Sequence, residues 1–227
     1  MRLSVVLPVL NEAALIYDAL ADLQPLRATG HELIVVDGGS HDATVRLSQQ
    51  LADQVLTAAR GRAAQMNAGA EHASQDVLLF LHADTRLPPN AWQQIEQSIL
   101  AGALWGRFDV SLSGNGILLR MVEFFMNKRS RLTGIATGDQ GIFVRRDIFN
   151  KAGAYPEIPL MEDVALSHRL HRLAKPHCLS ARMQVSARRW QQHGVLLTVL
   201  LMWRLRLAYF FGVNPAHLAK QYYGEHP

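Results

Sequence analysis

The sequence predicts an α/β fold built on a mostly parallel central sheet, as one domain over residues 1–190 followed by an apolar and basic helical extension over 191–227. Three observations predict it. Short apolar runs alternate with stretches of helical spacing from Leu3 to Leu100. The run Val77 to Leu81 is apolar on both faces, as the centre of a covered parallel sheet requires. A chain of 227 residues, 49% of them hydrophobic, supplies one core rather than two.

The elements follow in order. Leu3 to Leu7 is an apolar strand ended by Pro8, and Glu12 to Leu23 places Leu15, Ile16, Ala19, Leu20 and Leu23 at helical spacing, with Asn11 able to cap the helix. Glu32 to Val36 is a second strand, ending at Asp37-Gly38-Gly39-Ser40, and Asp42 to Leu51 reads as a helix. Val55 to Thr57 is a short strand, Gly61 opens an Ala-rich helix to about Ala73, and Val77 to Leu81 leads into His82-Ala83-Asp84. A helix from Pro89 to Leu100 has proline at its start. Beyond it the rhythm loosens, with a strand at Trp105 to Leu112, a helix at Ile117 to Asn127, a strand at Gly141 to Val144 and a helical stretch from Glu162.

Composition narrows the classes. With 19% charged residues and 16 glycines the chain is neither disordered, collagen-like nor a coiled coil. The single cysteine, Cys178, excludes an internal disulfide framework and a Cys-rich metal site, which fits a cytoplasmic location. The N-terminus reads as a first strand and not as a signal peptide. Charge is divided unevenly: residues 1–163 hold 14 Lys and Arg against 18 Asp and Glu, whereas 164–227 hold 9 against Glu225. The basic segment suits an anionic membrane surface, a nucleic acid or a phosphate-bearing ligand, and equally an ordinary solvated surface.

In open α/β sheets ligands lie beyond the carboxyl ends of the strands. Those ends here carry Pro8, Asn11 and Glu12, then Asp37, then His82 and Asp84. In an extended segment an imidazole and a carboxylate two residues apart point to one side and can hold a divalent cation, or they can be a strand-end histidine and a turn aspartate. Asp37 can meet the N–H edge of a base or serve an Asp-Gly turn. Arg60-Gly61-Arg62 before a helix suits a diphosphate, and without GxxxxGK[ST] it is no P-loop. Glu162 and Asp163 in a first helical turn suit the dipole, and also suit a general base at the mouth of a site.

In this order SVVLPVLNEA, VVDGGSHDAT, GRAAQMNAGA, LFLHADT and LMEDVALSHRL resemble the motifs of family 2 glycosyltransferases of the GT-A fold, over about Leu3 to Leu173. The resemblance implies a nucleotide-diphospho-sugar transferase with a Rossmann-like sheet. It implies that Pro8, Asn11, Glu12, Asp37, Gly61, Arg62, Asn67, His82 and Ala83 bind the donor, that Asp84 binds a divalent cation (Mn²⁺ or Mg²⁺), and that Asp163, beside Glu162, deprotonates the acceptor hydroxyl. The reaction implied is one inverting displacement. His82 stands where many relatives have the first aspartate of DxD, and the glutamine spacing of QxxRW is absent before Arg189 and Trp190, which implies a non-processive enzyme. HADT, TGDQGIFVRRDIF and SARRW followed by His193 also resemble a compact bacterial subgroup associated with arsenosugar biosynthesis. That resemblance implies Gly138, Asp139, Gln140, Arg189 and Trp190 beside the sugar or acceptor and His193 in the metal shell; the residues alone also suit a tight turn before Ile142 at Gly138 to Gln140 and a surface or packing histidine at His193. The expected partners are a nucleotide-sugar donor, a small or lipid-linked acceptor and a second copy of the chain, without nucleic acid.

Val195 to Trp203 is apolar apart from Thr198, and the run resumes at Leu207 after Arg204 and Arg206. Each central arginine costs about 2.5–3.5 kcal/mol of insertion, while each Leu or Val returns about 0.3–0.6 kcal/mol. The segment is therefore expected to pack on the domain or a second subunit, or to lie at the inner face of an anionic membrane, not to span it. The alternative to an enzyme is a degenerate transferase fold that binds a membrane or nucleic acid through this basic region.

Overall fold

The computed structural model describes residues 1–224, apart from the side chains of Arg189, Gln192 and His193. Its single eight-stranded sheet has the order β3-β2-β1-β4-β7-β6-β8-β5. β1 (Leu3–Val9), β2 (Glu32–Asp37), β3 (Gln54–Thr57) and β4 (Val77–Phe80) run parallel. β7 (Phe143–Arg145) is antiparallel to β4 and to β6 (Trp105–Leu112), and β8 (His177–Val185) runs parallel to β6 and antiparallel to β5 (Thr85–Arg86). The helices are α1 (Ile16–Ala28), α2 (Thr44–Ser48), α3 (Arg62–His72), α4 (Ala91–Leu100), α5 (Ile117–Thr133), α6 (Arg146–Lys151), α7 (Glu162–Leu173), α8 (Arg188–His193), α9 (Val195–Phe210) and α10 (Pro215–Tyr223).

The α/β expectation holds, and the differences have local causes. Pro8 does not end β1: it pairs with Val36 inside the strand. β4 pairs β1 only from Leu3 to Val6, so no ladder bond is asked of the missing Pro8 N–H on that side. Asn11 does not cap α1, which starts at Ile16; it takes a left-handed turn (φ 53°), and its side chain serves a neighbouring loop instead. α4 likewise starts at Ala91, after a left-handed Asn90, so the proline lies before the helix and not in it. α5 runs six residues beyond Asn127 to a left-handed Gly134.

One core packs α1 and α4 against one face of the sheet and another packs α3, α6 and α7 against the other. The C-terminal helices join through two smaller clusters: Trp190, Val195 and Val199 against β6, β8 and α5, and Leu205, Leu218 and Ala219 against Leu160 and Met161. The second cluster seats a left-handed Met161 (φ 70°), the residue that turns the chain into α7. Among the described residues no helix is long and apolar enough to cross a membrane.

Candidate active site

The chain leaves β1 toward β2 and β3 on one side and returns as β4 on the other, so a crevice opens between the carboxyl ends of β1 and β4. Its rim is laced before any ligand arrives. The Asn11 N–H donates to Ser40 Oγ (2.8 Å), the His41 N–H to Asn11 Oδ1 (2.9 Å) and the Glu12 N–H to Thr44 Oγ1 (2.8 Å). The buried Gln65 donates from Nε2 to the carbonyls of both Val9 and Val36 at 2.8 Å, fastening the ends of β1 and β2 to α3. Asp37 is buried, and its carboxylate accepts from the N–H groups of Gly39 and Ser40, so the Asp-Gly turn is formed.

Beyond β4, His82 to Thr85 forms a turn: the His82 carbonyl accepts the Thr85 N–H (3.1 Å), and the Asp84 carbonyl accepts the Ser186 N–H (3.2 Å). His82 and Asp84 therefore do not share a strand face, as an extended reading of their spacing assumed. Ala83 is buried between them, and a cavity of about 280 Å³ lined by Leu15, Ala83, Asp84, Ser113 and Ser186 adjoins the crevice.

Arg62, the first residue of α3 after Gly61 (φ 137°), is the electrostatic centre of the group. Its charge reaches Glu12, His82, Asp84, Glu162 and Asp139. Arg62 and Asp84 are solvent-accessible, yet desolvation is the largest influence on each, as at the floor of a concavity. For Arg62 burial opposes the charge, and Tyr223, Glu162, Tyr222 and Asp139 outweigh it. Burial raises Asp84, with Arg62 opposing; burial and then Asp84 raise Glu12. Burial, then Arg62, depresses His82 to about 3, so its imidazole is neutral.

The start of α7 closes the group. Asp163 Oδ2 accepts the Gly138 N–H (2.8 Å) and Oδ1 the Val164 N–H (2.7 Å), while Glu162 is buried. Gly138 opens a 3-10 turn, Gly138–Gln140, and a Cβ added there would lie 2.3 Å from His82 Nε2. Glycine is thus the residue that lets the β4 end and the α7 carboxylates meet. Burial, then Asp163, lifts the Glu162 carboxyl to about 7, with Arg62 opposing.

Other sequence-derived candidates stand differently. Gln140 is buried and turned inward: its Oε1 accepts the Thr137 N–H (3.1 Å) to brace the 3-10 turn. Asn67 donates from Nδ2 to the Tyr155 carbonyl (2.9 Å) and accepts the Tyr155 N–H at Oδ1 (3.0 Å), pinning α3 to that segment. Trp190 packs in the apolar cluster with Val110, Leu112 and Val185. The side chains of Arg189 and His193 lie outside the described residues.

Sequence reasoning missed several groups. Tyr155, buried against Phe80 and Phe149, is raised by burial and then by Asp163 and Glu162. Arg129 on α5 has Nε and one Nη buried without a partner; burial depresses it, and Asp163 lies within its electrostatic reach. Arg188 reaches Glu12. Tyr155 and Arg129 have no local motif, because each enters the site through tertiary packing; Arg188 lies within the SARRW stretch, in which the motif singles out only Arg189 and Trp190.

Residues 4–153, about two thirds of the chain, match the sequence model described as "Glycosyl transferase family 2". The chain belongs to glycosyl transferase family 2. It is 27% identical to the glycosyltransferase AglE of Haloferax volcanii over 169 residues, 67% of this chain and 55% of that protein. The fold is similar to that of S. aureus TarS 1-349, with a TM-score of 0.66, 19% identity and coverage of 82% of this chain and 61% of that one. It is also similar to the mannosyltransferase PcManGT from Pyrobaculum calidifontis, with a TM-score of 0.62, 19% identity and coverage of 91% and 60%. The chain thus spans somewhat over half of these proteins, and its fold is the GT-A arrangement.

Proposed function

We propose that this chain transfers one sugar from a nucleoside-diphosphate donor to an acceptor hydroxyl, with inversion and without processivity. The observation that carries the reading is the hydrogen bond from Gly138 to Asp163, which fastens the α7 carboxylate pair beside the β4 end and Arg62. Family membership supports it, as do two fold neighbours: TarS was solved with UDP-GlcNAc, and PcManGT with GDP-Man and Mn²⁺.

The acceptor oxygen attacks the anomeric carbon as the bond from that carbon to the diphosphate oxygen breaks. The proton passes to Asp163, and the nucleoside diphosphate departs. Asp163 suits the base because two backbone N–H groups hold its carboxylate in place, and beside it burial, then Asp163, lifts the Glu162 carboxyl to about 7. Arg62, charged in its concavity at the start of α3, faces the diphosphate. Asp37 and the rim from Pro8 to Glu12 border the nucleoside.

A divalent cation fits the donor set in one respect: Asp84 and Glu12 repel each other, with Arg62 beside both and Arg188 reaching Glu12, and further positive charge would relieve them. Among the described residues no group of three or more His, Cys, Asp or Glu can hold a metal. Asp84 would therefore hold the ion together with the donor's diphosphate oxygens, as Mg²⁺ is commonly bound. Once bound it supplies charge neutralisation for the leaving group.

Calorimetric titration with UDP, GDP and dTDP, each with Mn²⁺, with Mg²⁺ and with excess EDTA, tests the proposal. Binding of one nucleotide, lost with EDTA, is expected. Failure to bind any of the three would overturn the reading, and binding indifferent to EDTA would overturn its metal component.

A further inference from the structure

α5 and α9 pack against each other through Leu119, Val122, Val195 and Val199, and each also turns a stripe of apolar side chains outward. On α5 the stripe is Ile117, Leu118, Met121, Phe124 and Phe125. On α9 it is Leu196, Leu200, Trp203, Leu207 and Phe210, spaced three or four residues apart and so on one side of the helix. The exposure is large: 78% at Ile117, 66% at Trp203 and 79% at Phe210. α9 also buries Thr198 and Leu205 on its opposite side, so it is apolar nearly all round while only one side is covered by protein. A helix of that kind needs cover on both sides, and isolated soluble chains rarely leave so continuous an apolar surface to water.

Charge identifies the cover. By helical position Arg204 and Arg206 flank the α9 stripe on either side, and Lys128 lies on the exposed side of α5, where Arg131 is paired with Asp109. α9 carries no acidic residue, and the one acid of α5, Glu123, is buried and paired with Arg120. Two copies meeting through this face would bring these cations together. An anionic lipid surface takes both features at once, with the rings and aliphatic chains entering the acyl boundary and the flanking cations reaching headgroup phosphates.

We propose that α5 and α9 form a two-helix platform that docks the chain on an anionic bilayer surface. The inner sides of the same helices border the candidate site, since Arg129 on α5 and Tyr209 on α9 both sense Asp163. The platform stands independently of the transfer reading, because its test uses no nucleotide.

The test is co-sedimentation of the full chain with vesicles of phosphatidylcholine alone and of phosphatidylcholine mixed equally with phosphatidylglycerol. The chain is expected to pellet with the mixed vesicles and to be released by high salt. Phe124→Ser with Trp203→Ser should lower the partition coefficient at least about tenfold, from the loss of two large apolar side chains. Lys128→Glu with Arg204→Glu should lower it by roughly tenfold or more. Thermal melts of these surface variants, unchanged from the parent, keep folding out of the result. Equal binding to both vesicles, or binding unaffected by either double variant, would overturn the proposal. So would absence from both pellets together with concentration-dependent self-association abolished by Phe124→Ser and Trp203→Ser, which would assign the face to a second copy.

Discussion

The half of the chain that builds the parallel strands and the half that follows Trp105 differ in the charges they bury. From Leu3 to Leu100 the buried polar side chains are largely uncharged, with Asp37 the buried carboxylate, β1 and β4 are covered on both faces, and the exposed large hydrophobics are Tyr17 and Leu100. After Trp105 the interior holds Arg107, Asp109, Glu123, Asn127 and Glu162, while the surface carries the apolar side chains of α5 and α9. Buried charges seldom improve stability over well-packed apolar groups. Their accumulation in one half, beside outward-facing phenylalanines and leucines, marks that half as arranged for chemistry and contact, on a scaffold that the other half supplies.

The sharpest way to break this division is to remove its chemistry without disturbing its packing. Asp163→Asn keeps one oxygen, which can accept the Gly138 N–H and hold the β4 end to α7, and gives up the bond from the Val164 N–H. Transfer should fall by about 10²–10⁴-fold, the usual contribution of a general base, with nucleotide affinity within about twofold of the parent. Initial rates and calorimetry on one preparation measure both, and undiminished turnover would remove Asp163 from the base role.

Next come two glycines, one in each half. An alanine at Gly69 would set its Cβ 2.4 Å from Val6 Cγ1 and 3.0 Å from Val36 Cγ2; at Gly138 it would lie 2.3 Å from His82 Nε2. Each should cost about 1–3 kcal/mol by overpacking. Gly69→Ala should lower the melting temperature and leave turnover per folded molecule unchanged, since it strains only the scaffold. Gly138→Ala should lower both, because it moves His82 or the N–H that holds Asp163. Equal losses of turnover would show that the two halves are not separable in this way.

Arg129→Met probes the unpartnered guanidinium. Stability should stay within about 1 kcal/mol, because a buried charge without a partner contributes little. Transfer should fall by roughly three- to tenfold, on the order of 1 kcal/mol of Coulombic support near Asp163 in a partly solvated site. Thermal denaturation alongside kcat/KM separates the two effects.

The same division governs what could be read from the sequence. Strands covered on both faces are unbroken apolar runs, so β1, β2 and β4 and the helices between them were legible, as were the strand-end residues Glu12, Asp37 and Asp84. β8 was missed because its exposed and buried positions are interleaved with Ser180, Arg182 and Gln184, which disguise the strand as polar. α5 was cut short where Lys128, Arg129 and Arg131 interrupt its apolar pattern. In the candidate site, motif spacing pointed to Arg62, Glu162 and Asp163, which the fold brings together, but Tyr155, Gln65 and Arg129 join them only through neighbours distant in sequence. The Asn67 amide was assigned to a donor because no local signal announces its two bonds to Tyr155.

The smallest effect expected is on stability against pH, and it bears directly on the polar interior. Burial, reinforced by Asp163, lifts the Glu162 carboxyl from 4.5 to about 7. Across that interval the folded chain keeps a proton that the unfolded chain has released. Its contribution is therefore complete below the unfolded value and is lost as pH rises through the folded one. Glu162→Gln retains the shape and cannot titrate. Relative to this variant, the parent's melting temperature should decline as pH rises from 4.5 toward 7, a difference read from paired melts in matched buffers. Curves that stay parallel would mean that Glu162 ionises as freely as a surface carboxylate, and burial at the start of α7 would then not govern its charge.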